Sequence, residues 1–248
     1  MTRVAVAVAT AIGALAASWA LASNPPWGGD DTGFLPTPKS ALEKCETRIA
    51  KANAKLVSAI VKCHGSRITG KLASDAAEDT CESTAIGKFT GKTKTTGCAP
   101  CTNLGNIAAA IEVSADSAVG AVLCGSGTPM GGDDAGHIPS DSPKGPLTKC
   151  AVKVNKATGV LAGAIVKCHT LRAHGKITDE AGEETCENTA ISKFTSKTKT
   201  TGCDGCVTLA NVSSRTHSAV DSGNGLAYCQ SPSSAFVEKR HGYLESLF

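Results

Sequence analysis

Apolar and small residues recur at alternating steps of three and four at Leu42, Cys45, Ile49, Ala52, Leu56, Ala59 and Cys63. That spacing places all seven on one helix face, with a cysteine near each end. The stripe returns at Leu147, Cys150, Val154, Ala157, Leu161, Ala164 and Cys168. Gly70 and Gly175 are matched stop signals, and Asp75 with Glu78 three residues later marks a capped restart. A second helix then carries Cys81, Ala85 and Phe89, or Cys186, Ala190 and Phe194, and ends in the Thr-rich stretch before Gly97 or Gly202. A weaker third helix runs through Leu104, Ile107 and Ile111, matched by Leu209 and Val212, before a short segment reaches Cys124 or Cys229. Sustained period-two alternation is absent. The pattern predicts an all-α fold of two tandem disulfide-stapled small bundles, each a helical hairpin plus a third helix.

The repetition is a duplication. A shift of 105 positions superimposes all six cysteines from Cys45 to Cys124 on those from Cys150 to Cys229, and 38 of the 80 residues in that window are identical. The lead-ins repeat too, Gly29-Asp30-Asp31-Thr32-Gly33 against Gly132-Asp133-Asp134-Ala135-Gly136, at an offset of 103. Upstream, Arg3 precedes an uncharged run from Val4 to Leu21 and then Ala22, the layout of a secretory signal peptide cleaved after Ala22. The expected organisation is a signal peptide at 1–22, a Gly/Pro/Asp-rich linker at 23–35, repeat 1 at 36–127, a linker at 128–138, repeat 2 at 139–231 and a tail at 232–248. Each unit holds a complete cysteine set and is expected to fold alone.

Composition narrows the partners. With 25 Lys+Arg against 22 Asp+Glu, the basic excess is too small to imply nucleic acid. No second apolar run is long enough to cross a bilayer, so no stable membrane insertion is expected after signal cleavage. Only 5 Phe, 2 Trp and 2 Tyr are available to fill a core, and twelve cysteines supply the alternative source of stability. An exported, periplasmic or extracellular protein follows. A turn centred near Leu72 puts Cys63 level with Cys81, and by the same construction Cys168 level with Cys186. Cys45 then faces Cys98 and Cys101; one of the two is its mate, and the other is left for Cys124. A competing arrangement closes Cys98 to Cys101 and joins Cys45 to Cys124. The same choice applies to Cys150, Cys203, Cys206 and Cys229, and no bridge between units is expected.

Candidate chemistry is sparse. Cys98-Ala99-Pro100-Cys101 and Cys203-Asp204-Gly205-Cys206 have redox C-x-x-C spacing, but no βαβ pattern surrounds them and other cysteines are available to bond them. Thr102 and Val207 follow where covalent haem attachment needs histidine. Gly87 and Gly91-Lys92-Thr93 resemble part of a P-loop, with the wrong glycine spacing and at the end of a helix. His64 and His169 each follow a cysteine, and helix neighbours diverge by about 100°, so Cys63 and His64 do not converge on one ion. Each histidine reads as a helix-end residue favoured by the dipole, with metal or haem ligation as the alternative. Asp30, Asp31, Asp133 and Asp134 lack D-x-D alternation and read as solvated linker. Glu78 with Asp79, and Glu183 with Glu184, read as an exposed helix face. Lys88, Lys92, Lys94 and Lys193, Lys197, Lys199 mark solvated helix ends, with an anionic glycan as the lesser alternative. No catalytic residue and no cofactor is assigned.

Lys62-Cys63-His64, Cys81-Glu82, Phe89, Gly97-Cys98, Cys101 and the closing Cys124 together resemble a family of secreted bacterial proteins built from six-cysteine helical units. The resemblance spans 36–127 and 139–231 and implies the fold without an activity. The expectation is therefore a secreted, non-enzymatic binding or envelope-structural module whose partner is an extracellular or envelope protein or an anionic glycan. The alternatives are a metal- or haem-binding protein using His64 and His169, and a thiol-disulfide protein using the C-x-x-C pairs.

Overall fold

A computed structural model describes residues 26–124 and 127–229. The expected signal peptide, and the tail from 232, lie outside the described residues. Repeat 1 contributes α1 (Ala41–Ile68), α2 (Asp75–Lys92) and α3 (Leu104–Gly120); repeat 2 contributes α4 (Pro146–Ala173), α5 (Glu180–Lys197) and α6 (Leu209–Ala227). The fold is all-α in its bulk, as the periodicity predicts. Side-chain caps start five of the six helices: Ser40, Ser74, Asn103, Asp179 and Thr208 accept from backbone N–H groups of the first turn. Ser74 takes the role expected of Asp75. At α4, Pro146 occupies the first turn, and the Asp141 carboxylate accepts from Leu147 N and Thr148 N at 2.7 and 3.0 Å.

The segments read as linkers are hairpins. β1 (Pro26–Gly28) pairs antiparallel with β2 (Asp31–Phe34), and β3 (Gly127–Gly131) with β4 (Asp134–Pro139). Each turns on a Gly-Asp pair, Gly29-Asp30 or Gly132-Asp133, whose glycine has φ of 64° or 55°. The strands are too short for alternation to show. Their docking departs from the tandem layout. Hairpin β3–β4 packs against α3 of repeat 1, where His137 N donates to Leu123 O. Hairpin β1–β2 crosses to α6 of repeat 2, where Phe34 N donates to Tyr228 O at 2.9 Å. Each bundle is therefore completed by the hairpin that precedes the other one or follows itself, with repeat 2 served from the start of the chain.

The two units share one core. Ile49, Leu56, Ile60, Ile107 and Val119 of repeat 1 belong to the same buried cluster as Val154, Leu161, Ile165 and Val212 of repeat 2. α1 packs along α4, and α3 along α6. Disulfides follow this intertwining. Cys63–Cys81 and Cys168–Cys186 form as expected, each with Cα atoms 5.8 Å apart. Cys45 takes Cys98 and Cys150 takes Cys203. Cys101 and Cys124 do not bond each other; they pair with Cys229 and Cys206, across the repeats. The expectation of no bridge between units is thereby corrected. Cys101 and Cys206 precede α3 and α6 while Cys124 and Cys229 follow them, so these two bridges tie an antiparallel α3–α6 pair at both ends. A hairpin construction confined to one repeat has no access to that pairing.

Candidate metal centres

The inward face of α2 runs Glu78, Glu82, Ile86, Phe89, spacings of four, four and three, which is core spacing with carboxylates in its first two places. α5 repeats it with Glu183, Glu187, Ile191 and Phe194. These glutamates are not an exposed face: Glu78 and Glu187 are 0% exposed, Glu183 1% and Glu82 2%. His64 is not a solvated helix-end residue either; its ring is fully buried opposite them. Asp134 is not solvated linker: β4 carries its side chain, 2% exposed, into the same space, and β2 brings buried Asp31 to His169. α3 and α6 add Asp116 and Asp221.

Around His64 Nε2 lie Asp134 Oδ1 at 2.6 Å, Glu82 Oε1 at 3.1 Å, Glu78 Oε1 at 3.2 Å and Asp116 Oδ1 at 3.5 Å. Around His169 Nε2 lie Glu187 Oε1 at 2.7 Å, Asp31 Oδ1 at 3.2 Å, Asp221 Oδ1 at 3.7 Å and Glu183 Oε1 at 3.9 Å. An imidazole offers at most one proton at Nε2, which serves one acceptor well. Four carboxylates converging on it leave the rest unsatisfied. Among the described residues, both Glu78 oxygens, Glu82 Oε1 and Asp116 Oδ1 lack a hydrogen-bond partner in the first cluster; Glu187 Oε1 and Asp221 Oδ1 lack one in the second. Ligands about 2.1 Å from one cation and 90–110° apart stand about 3.0–3.4 Å from each other. The observed separations centre on that range. His64, Glu78, Glu82 and Asp134, and equally His169, Glu183, Glu187 and Asp31, each bring one ligand atom within 4.8 Å of the other three.

The electrostatics differ between the clusters. In the first, burial above all, then the neighbouring carboxylates, pushes Glu78 and Glu82 far above the usual carboxylate range and Asp116 up to about 8. In the second, burial would raise Glu187, but the imidazoles of His169 and His217 close to its two oxygens outweigh it and hold it at about 2. Burial would lower His169, and Asp31 with Glu187 outweighs that, taking it up to about 10. Two further donors steady the second cluster. Trp27 Nε1 donates to both oxygens of Glu183 at 3.0 and 2.9 Å, and an Arg172 amino group donates to Trp27 O at 2.9 Å. His217, on α6, reaches Glu187 Oε2 at 2.6 Å; a shift of 105 puts Glu112 at its place in repeat 1.

All twelve cysteines are engaged in bridges, so neither C-x-x-C presents a dithiol, and Cys63 stays apart from His64 by bonding Cys81. Lys88 and Lys92 line a groove of about 1080 Å³ between α1 and α2 together with Lys44, Arg48, Lys51, Lys55 and Lys62, and among the described residues no acidic side chain lines it. Lys94 instead offers its carbonyl to Arg48. Among the described residues no helix is long and apolar enough to cross a membrane. Six disulfides are characteristic of proteins matured in an oxidising compartment, outside the reducing cytosol.

No family model matches the chain, and no curated protein and no solved structure matches it.

Asp116 and the two glutamate pairs escaped the sequence reading, although the duplication carries a signal for them. Between 105 and 123 only Asn106, Asp116, Ser117 and Gly120 match their partners, and a carboxylate held where most of the helix has diverged marks a position under constraint.

Proposed function

We propose that the protein is an exported, non-enzymatic cation-binding module with two homologous buried sites, His64/Glu78/Glu82/Asp116/Asp134 and His169/Glu183/Glu187/Asp221/Asp31. The observation that carries this is Glu78: a glutamate with no exposed surface whose two oxygens, when ionised, find no hydrogen-bond donor among the described residues, 3.2 Å from an imidazole already engaged by Asp134. Burying such a group costs several kcal/mol unless a proton or a cation neutralises it. The convergent donors are one imidazole and three carboxylates, with a fourth carboxylate, Asp116 or Asp221, 3.5 or 3.7 Å from the imidazole; a set so rich in oxygen suits a hard first-row ion, Mn²⁺ foremost. Glu78, Glu82, His64 and Asp116 repeat at a single offset and Asp134 repeats with its hairpin, so the whole set was duplicated as one unit.

The test is metal analysis of natively exported protein, with titration of Mn²⁺, Zn²⁺ and Ca²⁺ into the stripped chain. At least two tight first-row ions are expected, lost in a His64→Gln, His169→Gln variant that keeps its six disulfides. Absence of metal from the native protein, together with no binding above micromolar affinity, would overturn it.

The acid-free lysine groove supports a second contact, with an anionic polymer such as a surface glycan. Salt-dependent retention on an anionic polysaccharide, lost on Lys51→Glu with Lys55→Glu, tests it; equal retention of the variant rules it out.

A further inference from the structure

Glu187 places one oxygen at each of two imidazoles: Oε1 lies 2.7 Å from His169 Nε2, and Oε2 lies 2.6 Å from His217 Nε2. Asp221 does the same at longer range, Oδ1 3.7 Å from His169 Nε2 and Oδ2 3.7 Å from His217 Nε2. Two carboxylates spanning two histidines, each end facing a different ring nitrogen, is the arrangement that bridges a pair of metal ions about 3.5–4 Å apart. A single-ion site needs only one oxygen from each; the second oxygen of Glu187, now hydrogen-bonded to His217, is placed to share a further ion with it. Asp221 is 7% exposed, and its Oδ1, on the His169 side, has no hydrogen-bond partner among the described residues, so this buried carboxylate offers an unsatisfied ligand atom to the inner position while its Oδ2 faces His217. Asp30, Glu187 and His217 each bring a ligand atom within 4.8 Å of the other two, a second convergence beside that of Asp31, His169, Glu183 and Glu187.

We infer that the repeat 2 centre is dinuclear, its second divalent ion held by His217 and Asp30 and bridged to the first through Glu187 and Asp221. This rests on the cation-binding function proposed above. The inner ion is enclosed. The outer one faces solvent, since the Asp30 side chain is 51% exposed and that of His217 17%, leaving room for water ligands. Repeat 1 keeps the bridging pair as Glu82 and Asp116 and the hairpin residue as Asp133, but Glu112 replaces the histidine. Its outer position then offers oxygen alone, and a first-row ion binds there more weakly than beside an imidazole. The two halves of the duplication have diverged at this one ligand into a mononuclear and a dinuclear centre.

The experiment is Mn²⁺ titration of the full-length, oxidised, metal-stripped chain, with bound ions counted after gel filtration and electron paramagnetic resonance recorded on the product. Three tight equivalents are expected, with an exchange-coupled signal beside a mononuclear one. His217→Glu, which installs the residue repeat 1 already carries, is expected to lower the count to two and abolish the coupled signal; His64→Gln is expected to lower it to two and leave the coupled signal intact. The reciprocal Glu112→His is expected to add a fourth equivalent. Two equivalents in the unaltered chain with no coupled signal would overturn the dinuclear centre and leave the cation-binding function standing. No bound Mn²⁺ at all would overturn both.

Discussion

At the scale of single residues the buried carboxyls decide how the molecule responds to cations and protons. Because burial and neighbouring carboxylates hold Glu78 neutral in the cation-free protein, Glu78→Gln replaces a neutral acid by a neutral amide of the same shape. Thermal denaturation in chelator is expected to show an unchanged or higher Tm. Calorimetric Mn²⁺ affinity at the repeat 1 site is expected to fall at least tenfold, about 1.4 kcal/mol. A large loss of Tm in chelator with affinity unchanged would mean that Glu78 serves packing alone. The pH dependence follows from Asp116 and Asp221, both raised to about 8, chiefly by burial. An acid whose folded pKa exceeds its unfolded one binds more protons when folded. The penalty is absent below about pH 4, the unfolded range, and grows until pH passes about 8. Cation-free stability is thus expected to fall between pH 5 and 8. Cation affinity is expected to rise over the same window, because binding expels those protons. Calorimetry in buffers of different ionisation heat checks this; no proton release on binding would contradict it.

At the scale of elements, the helices were legible because their stripes are apolar and their caps ordinary, whereas of the site only His64 and His169 were, as an alternative reading, because its residues break the same rules. Glu78 and Glu82 occupy core spacing with charged side chains, and polarity alone sends such residues to the surface. His64 stands one residue past the stripe and so reads as outward-facing, yet a second buried face of α1 receives it. Asp31 and Asp134 belong to strands of four and six residues, below the length at which alternation declares itself. The hairpins are held close by glycines. Gly136 has φ of 98°, and a Cβ there would come within 2.5 Å of Leu123 O; Gly33 repeats the contact against Tyr228. Gly136→Ala therefore combines a disfavoured backbone with a backbone clash and is expected to cost roughly 1–3 kcal/mol. Since Asp134 hangs from the same strand, the variant is also expected to weaken the repeat 1 cation site while leaving repeat 2 unaffected. Equal weakening of both sites would show that the hairpin does not deliver Asp134 independently.

At the scale of the whole molecule, the duplication and six-cysteine spacing announce two copies of one unit, and nothing local in them announces that the copies interlock. Cys101 and Cys124 have equally plausible mates inside and outside their own repeat, and only the antiparallel packing of α3 on α6 selects the outer ones. The expected autonomy of 36–127 changes accordingly. That fragment leaves Cys101 and Cys124 without Cys229 and Cys206, lacks Asp134, and exposes the faces of α1 and α3 that pack on α4 and α6. Non-reducing peptide mapping of the full chain is expected to recover the Cys101–Cys229 and Cys124–Cys206 linkages, and the isolated fragment is expected to unfold without a cooperative transition. A mapped Cys101–Cys124 bridge, with a sharply melting fragment, would restore two independent bundles.

Each half of the duplication is held to enclose a divalent cation between the histidine of one helix and the carboxylates of two others and a hairpin. Crystals grown with Mn²⁺ and measured at its absorption edge address it directly. Anomalous peaks are predicted about 2.2 Å from Nε2 of His64 and Nε2 of His169, each enclosed by its carboxylates. Density at those positions with no anomalous signal, and the carboxyls instead hydrogen-bonded to one another, would contradict the account.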